Sequence, residues 1–253
     1  MYRLPILALC AFAALATSTS ADPAHDIVAG ADRVRNPEHP FRIVATVTEY
    51  KAGRATDRDV YIVYSKLDPA TGQFRDVMVY AEPPRDAGKM LLLNGDNLWF
   101  YDPASHQSIR ISPQEKLAGQ ASAGDVLTEN LAVDYAPAIL GTETIEDASR
   151  ARRDCWHLEL KAANDAATYN RVEYWVEQNS FRPVKAKFYA DSGRLLKILY
   201  YRGYPARGAP SQAVIIDAVD ATLVTTVDLG DPHFQDIPDA WFQRDYLPHL
   251  KFQ

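Results

Sequence analysis

Along most of the chain apolar and polar residues alternate with a period of two. In RVEYWVEQ, Val172, Tyr174 and Val176 fall on one face while Arg171, Glu173, Trp175 and Glu177 fall on the other, the pattern of a strand with one side on a core and the other half in solvent. FRIVATVTEYKAG and RDVYIVYSKL predict a first hairpin, and QFRDVMVYAEPP follows after the Pro69-Ala70-Thr71-Gly72 turn. KMLLLNG then leads into GDNLWFYDPASHQSIRIS, a second hairpin with Asp102-Pro103 at its bend. Strand patterns continue at TETIED, RDCWHLELK, RPVKAKFYAD, RLLKILYYRGY, QAVIIDAVDA and ATLVTTVDL. About a dozen evenly spaced strands predict an all-β antiparallel meander rather than alternating β-α units.

Three segments break the alternation. Ala24, Ile27, Val28, Ala31 and Val34 recur at helical spacing and stop before Asn36-Pro37, which predicts an amphipathic helix. Residues 112–137 hold small residues and glycines, with Leu117, Val126, Leu127, Leu131 and Val133 at irregular spacing. A segment of that length between strands predicts one or two short helices and a lid. Near the end, PDAWFQRDYL predicts a helical turn presenting Trp241, Phe242 and Tyr246.

Some strands are apolar on both faces. RLLKILYY sets Leu195, Leu199 and Tyr201 against Leu196, Ile198 and Tyr200, and LWFY sets Leu98 and Phe100 against Trp99 and Tyr101. Two helical pieces and a lid cover only part of so wide a sheet. Either the sheet curls on itself or apolar surface is left for a ligand.

The first residues change the compartment. Met1-Tyr2-Arg3 is a short basic start, residues 4–16 are apolar, and Thr19-Ser20-Ala21 offers small residues before Asp22. This predicts a signal peptide over residues 1–21, cleaved after Ala21, and a single domain over 22–253. The apolar run is far shorter than the roughly 20 residues of a membrane span, so the processed chain is not expected to cross a membrane. Cys10 follows Leu9 where a lipoprotein signal needs a small residue, so no lipid anchor is expected. A formal charge of −6 without a basic block argues against nucleic acid. Only Cys155 remains after cleavage, which excludes an intrachain disulfide.

No phosphate-binding loop, dinucleotide-binding glycine pattern, nucleophile elbow or zinc-ligand spacing occurs. Asp154-Cys155-Trp156-His157 puts a thiol and an imidazole on one strand face. Catalytic pairs of this kind normally come from separate elements with an orienting third group, so a core thiol beside a surface histidine is the better reading. His25, His39, His106, His233 and His249 have no ligand spacing. Acidic pairs such as Glu146-Asp147 read as solvated strand faces. No catalytic residue, metal or cofactor is expected.

GDNLWFYDPASHQSIRISP, DYAPAILGTETIEDASRARRDCWHLELK, RVEYWVEQNSFRPVKAKFYADSGRLLKILYY and TTVDL…IPDAWFQRDYL resemble, in order and spacing, the bacterial outer-membrane lipoprotein-sorting proteins of the LolA-like family, from about Phe41 to Leu247. The chain departs at Ala123-Gly124-Asp125-Val126, where the family tends to Gly-Ser-Asp-aromatic. The resemblance implies a mainly β fold, LolA/LolB-like: a strongly curved antiparallel sheet, an unclosed β-barrel, with an N-terminal helix and a helical lid around a hydrophobic cavity. It further implies a periplasmic carrier of lipoprotein acyl chains or another lipid between inner and outer membrane, with an inner-membrane transporter of the resistance-nodulation-division type as a possible partner. One face of the LWFY hairpin plus the lid nominates Leu92, Trp99, Tyr101, Leu117, Val126, Leu131, Tyr135 and Trp175 as ligand-binding residues. Two alternatives remain: a lipid-sensing module of the envelope-stress type, ranked lower because the chain ends soon after Tyr246, and a hydrolase using Cys155 and His157.

Overall fold

A computed structural model describes residues 22–164, 167–206 and 208–250; the expected signal peptide lies outside them. Helix α1 (Pro23–Arg35) begins where the Asp22 carboxylate accepts the Ala24 N–H at 3.0 Å, with Pro23 in the first turn, where a backbone donor is not needed. It buries Ala24, Ile27, Val28 and Ala31 of the predicted stripe, together with Gly30 and Asp32, and leaves Val34 half-buried.

The strands follow the predicted meander. β1 (Phe41–Lys51), β2 (Arg54–Leu67), β3 (Phe74–Glu82), β4 (Met90–Asn94), β5 (Asn97–Asp102) and β6 (Gln107–Ile111) form the first half. The lid contains β7 (Lys116–Ala118), β8 (Ala121–Ser122), α2 (Ala123–Val126) and α3 (Leu131–Asp134). The second half comprises β9 (Tyr135–Glu146), β10 (Arg152–Ala162), β11 (Arg171–Glu177), β12 (Pro183–Tyr189), β13 (Leu195–Arg202), β14 (Gln212–Asp217) and β15 (Leu223–Leu229), with a short β16 (His233–Phe234). The lid therefore ends earlier than expected, and Tyr135 opens a strand.

All pairings in the main sheet are antiparallel, in the order β6-β5-β4-β3-β2-β1-β15-β14-β13-β12-β11-β10-β9, with β16 beside β1. The two halves join where β1 pairs with β15, for example Val47 with Val227. β6 and β9 end the sheet without pairing to each other, so the barrel is unclosed. One face of nearly every strand converges on a common core around α1 and the lid: Val47, Tyr61, Met78, Leu91 and Leu98 from the first half meet Leu158, Tyr174, Leu199 and Ile215 from the second. Strands from both ends of so wide a sheet share one core only if the sheet curls strongly.

The outer face of the first half is covered as well. After β16 the chain crosses it as two 3₁₀ turns, Asp239–Phe242 and Arg244–His249. Ile237, Phe242 and Leu247 pack there on Tyr64, Val77, Val79, Met90, Leu92 and Tyr101. The Asn94 side-chain amide donates to the Phe242 carbonyl at 2.8 Å, and Asp239 accepts from Lys66 and Arg75 at 2.8 and 3.0 Å. Of the expected turn residues, Phe242 is fully buried, whereas Tyr246 is 38 % exposed and Leu247 takes the inward place.

This strap is held by burial. Phe242→Ala removes a ring with no solvent exposure and is expected to cost about 3–5 kcal/mol in urea unfolding. Val219→Ala, at a position 83 % exposed, should stay within about 0.5 kcal/mol of the parent.

Candidate functional site

The lid folds into the concave face. β7 and β8 pair as a tight hairpin turning at Gly119, whose φ of +53° suits glycine. A Cβ there would lie 2.3 Å from Thr225 Oγ1, and one at Gly124 would lie 2.1 Å from Thr168 Oγ1. Gly119 is thus a close-approach point of the lid against the sheet, and Gly124 one against the loop between β10 and β11. Gly119 N–H donates to Glu49 Oε1, and Gln120 N–H donates to Thr225 Oγ1 at 2.8 Å.

Beyond the hairpin the lid is fastened by buried polar groups. The Ser122 N–H donates to Asp125 Oδ2 at 2.7 Å, and the same carboxylate receives Lys197 Nζ from β13 and the Tyr169 hydroxyl at 3.0 Å. Thr128 N–H donates to Asp76 Oδ2 at 2.7 Å. Thr168 donates to Glu129 Oε1 at 2.6 Å, while the Glu129 carbonyl accepts from Arg35 and Asn36 at 2.8 and 2.9 Å. At α3, Ala132 N–H donates to Asp32 Oδ2 at 2.8 Å and Asn130 N–H to Gln73 Oε1 at 2.8 Å. Burial pushes the Asp76 carboxyl up to about 7. It also pushes Glu129 up to about 8, with Asp134 and Asp125 adding to the rise while Thr168 and Arg35 oppose it.

Between lid and sheet lies a half-open groove of about 250 Å³. Tyr80, Leu91, Phe100, Ile109 and Ile111 form its sheet wall, and Glu115, Lys116, Leu117 and Ala123 its lid wall. It opens at the β6 edge, where Ile109 is 54 % exposed. At the turn of the same hairpin a second groove of about 220 Å³ runs past Glu49, Tyr50, Gly119, Gln120 and Val224. The β7–β8 hairpin thus borders one groove along Lys116 and Leu117 and the other at its turn.

Of the residues nominated from the sequence, the structure brings Leu117, Val126, Leu131 and Tyr135 together in the concave core, and Leu117 lines the groove. Leu92, Trp99 and Tyr101 are corrected: they point to the outer face, under the C-terminal strap. Leu91 and Phe100 occupy the groove instead. Both sides of LWFY are apolar because both are covered, so alternation alone did not distinguish them. Trp175 is corrected likewise. It sits in a small outer cluster with Cys155 and Val184, stacked on His157 at 4.3 Å with its indole N–H on Glu143.

Polar residues in the concave face were missed. Lys197 falls in phase with Leu195, Leu199 and Tyr201, and Asp76 in phase with Met78 and Tyr80; a charged residue within an apolar stripe was the available signal. Chemistry at Cys155 is disfavoured, since burial raises its thiol to about 12, the reverse of what a nucleophile needs. Glu49, Asp57 and Asp59 bring carboxylate oxygens within 4.8 Å of one another, and Glu49 already serves the Gly119 N–H.

No curated protein matches the chain by sequence. A family model described as an uncharacterized protein matches residues 72–249. Two solved structures share the fold at low identity. A DUF1329 family protein from Desulfovibrio piger is 20% identical with a TM-score of 0.72, covering 88% of this chain and 97% of that one. A domain described as an outer membrane lipoprotein-sorting protein, from Vibrio parahaemolyticus, is 18% identical with a TM-score of 0.70, covering 89% and 98%. The LolA superfamily protein NE2245 from Nitrosomonas europaea is 33% identical with a TM-score of 0.78, over 88% of this chain and 98% of that one. With that identity over almost the full length of both chains, and with the same curled, unclosed sheet, this chain belongs to the LolA superfamily.

Proposed function

We propose that the protein is a periplasmic carrier that shelters the acyl chains of a lipid or lipoprotein in its concave face, beneath the lid, and moves them between the inner and outer membrane. Residues 1–21 serve as its secretion leader and residues 22–253 as one binding domain. The observation that carries this reading is an apolar groove that reaches Ala123 of a lid whose inner side is made of small residues, Ala118, Ala121 and Ala123, all buried in the concave core. Burying a methylene is worth about 0.8 kcal/mol, so one chain of ~14 carbons offers on the order of 10 kcal/mol before ordering costs. A space of about 250 Å³ lies below the roughly 300–1,000 Å³ of typical ligand pockets. The groove therefore admits the tip of an acyl chain, and full entry requires the β7–β8 hairpin to move.

The lid fastening suits such movement. Asp76 lies under the lid and Glu129 on it, and both hold protons more tightly when buried than they would in water. Closing the lid therefore binds protons. Closure is strongest below the ordinary carboxylate range, at about pH 4, and weakens as pH rises through about 7 and 8, where Asp76 and then Glu129 lose their protons in the closed form.

Two measurements test this reading. Ile111→Glu and Leu117→Glu, in the groove, should each weaken binding of a fluorescent fatty acid by about tenfold or more; Trp99→Ala, on the outer face, should leave affinity unchanged. The opposite ranking would remove the groove from the site. In hydrogen exchange, protection factors of residues 112–134 relative to β1 and β2 should fall between about pH 4 and pH 8. The double variant Asp76→Asn/Glu129→Gln, which keeps both acceptors but cannot titrate, should flatten that slope. An equal slope in the double variant would contradict the assignment.

A further inference from the structure

Lys197 is the only lysine or arginine buried among the described residues, at 4 % exposure. Every hydrogen-bond acceptor it uses belongs to the lid: the Gln120 carbonyl at 3.0 Å, Ser122 Oγ at 3.4 Å and the Asp125 carboxylate. Beside them stand two aromatic faces, with the Tyr169 and Phe188 ring centres 5.0 and 5.6 Å from Nζ, while Asp217, the cross-strand neighbour on β14, accepts the Val219 and Asp220 N–H groups at 2.8 Å each. Ala123, between two of those lid partners, lines the groove. The segment that must leave for an acyl chain to enter is therefore the segment that satisfies the Lys197 ammonium.

An ammonium stripped of its acceptors within an apolar face is costly. The cost is offset if the entering molecule brings an anion to the position Asp125 vacates, where the Tyr169 hydroxyl is a second donor. We propose that Lys197, with Tyr169, is the headgroup site of the carrier, and that its ligand is an anionic amphiphile whose carboxylate or phosphate replaces the Asp125 side chain while its alkyl chain replaces the β7–β8 hairpin. Asp125 is the internal stand-in for the ligand's charge. This inference rests on the carrier reading above and adds to it the chemical class of the ligand's polar end. A lysine suits such an exchange because the rotatable N–H groups of its ammonium donate to either a carboxylate or a phosphate.

The test compares palmitate, hexadecyl phosphate and hexadecanol by calorimetry on the full chain, with acetate and inorganic phosphate as headgroups alone. Palmitate and hexadecyl phosphate should bind about tenfold or more tightly than hexadecanol, and the two small anions should not bind. Lys197→Met should abolish the preference while keeping hexadecanol affinity, and Lys197→Arg should retain it. Should Lys197→Met not fold, Asp125→Asn decides: removing the internal competitor should raise palmitate affinity more than hexadecanol affinity. Equal binding of palmitate and hexadecanol by the native chain, or an equal gain for both in Asp125→Asn, overturns the headgroup site and leaves the carrier reading standing. Tight binding of inorganic phosphate or acetate alone overturns the amphiphile and makes this a small-anion site. Failure of all three alkyl ligands to bind removes the carrier reading, and the headgroup site with it.

Discussion

A curled sheet whose two ends do not meet has an apolar hollow that must be filled. Strands from β2 to β14 send Tyr61, Met78, Leu91, Tyr174, Leu199 and Ile215 to one centre, and among the described residues the other sheet that faces it is only the two-stranded β7–β8 hairpin of the lid. Two insertions do the filling. Helix α1 contributes Ile27, Val28 and Ala31 from one end, and the lid contributes Ala118, Ala121, Ala123, Val126 and Leu131. The arrangement of the remainder follows from that division, because the lid is both part of the core and a segment whose removal would expose the core.

The two faces are covered by different physics. Outside, the C-terminal strap lays Ile237, Phe242 and Leu247 into the sheet, and its polar ties, among them the Asn94 amide, the Lys66 ammonium on the Ile237 carbonyl and the Asp239 ion pairs with Lys66 and Arg75, sit at the margin of that apolar contact. Inside, the lid presents mainly small side chains and is tied by Asp32, Asp76, Asp125, Glu129 and Lys197. A buried polar bond contributes little net stability while it is made and costs more when it is left half-made. A cover held this way fits one position well and tolerates intermediate positions badly, which suits a two-position lid better than a permanent core.

Much of this architecture is legible in the residues. The α1 stripe and the strand alternation are local signals, and they place the helix and the main strands. The facing of the LWFY hairpin is not local: Trp99 and Tyr101 are outer because Phe242 and Leu247, far along the chain, lie over that face. Alternation identifies two faces without naming which one is concave. Leu92, Trp99 and Tyr101 fell on the outer side for that reason, and Trp175 lies on the half-solvent face that Arg171, Glu173 and Glu177 mark, while Leu117, Val126, Leu131 and Tyr135 share the lid's own core. Lys197 and Asp76 stand out within apolar stripes, yet their partners Asp125 and Thr128 lie across the fold, out of reach of any pattern along one strand.

The central claim is that a guest chain takes the space now filled by residues 117–126. The most direct measurement is a crystal structure of the protein with palmitate bound. The account predicts alkyl density running from Phe100 and Ile111 toward Lys197, with the β7–β8 hairpin and α2 displaced and the strap unmoved. Palmitate seated on the outer face, or any complex in which the hairpin keeps its place on Thr225 and Lys197, would contradict it.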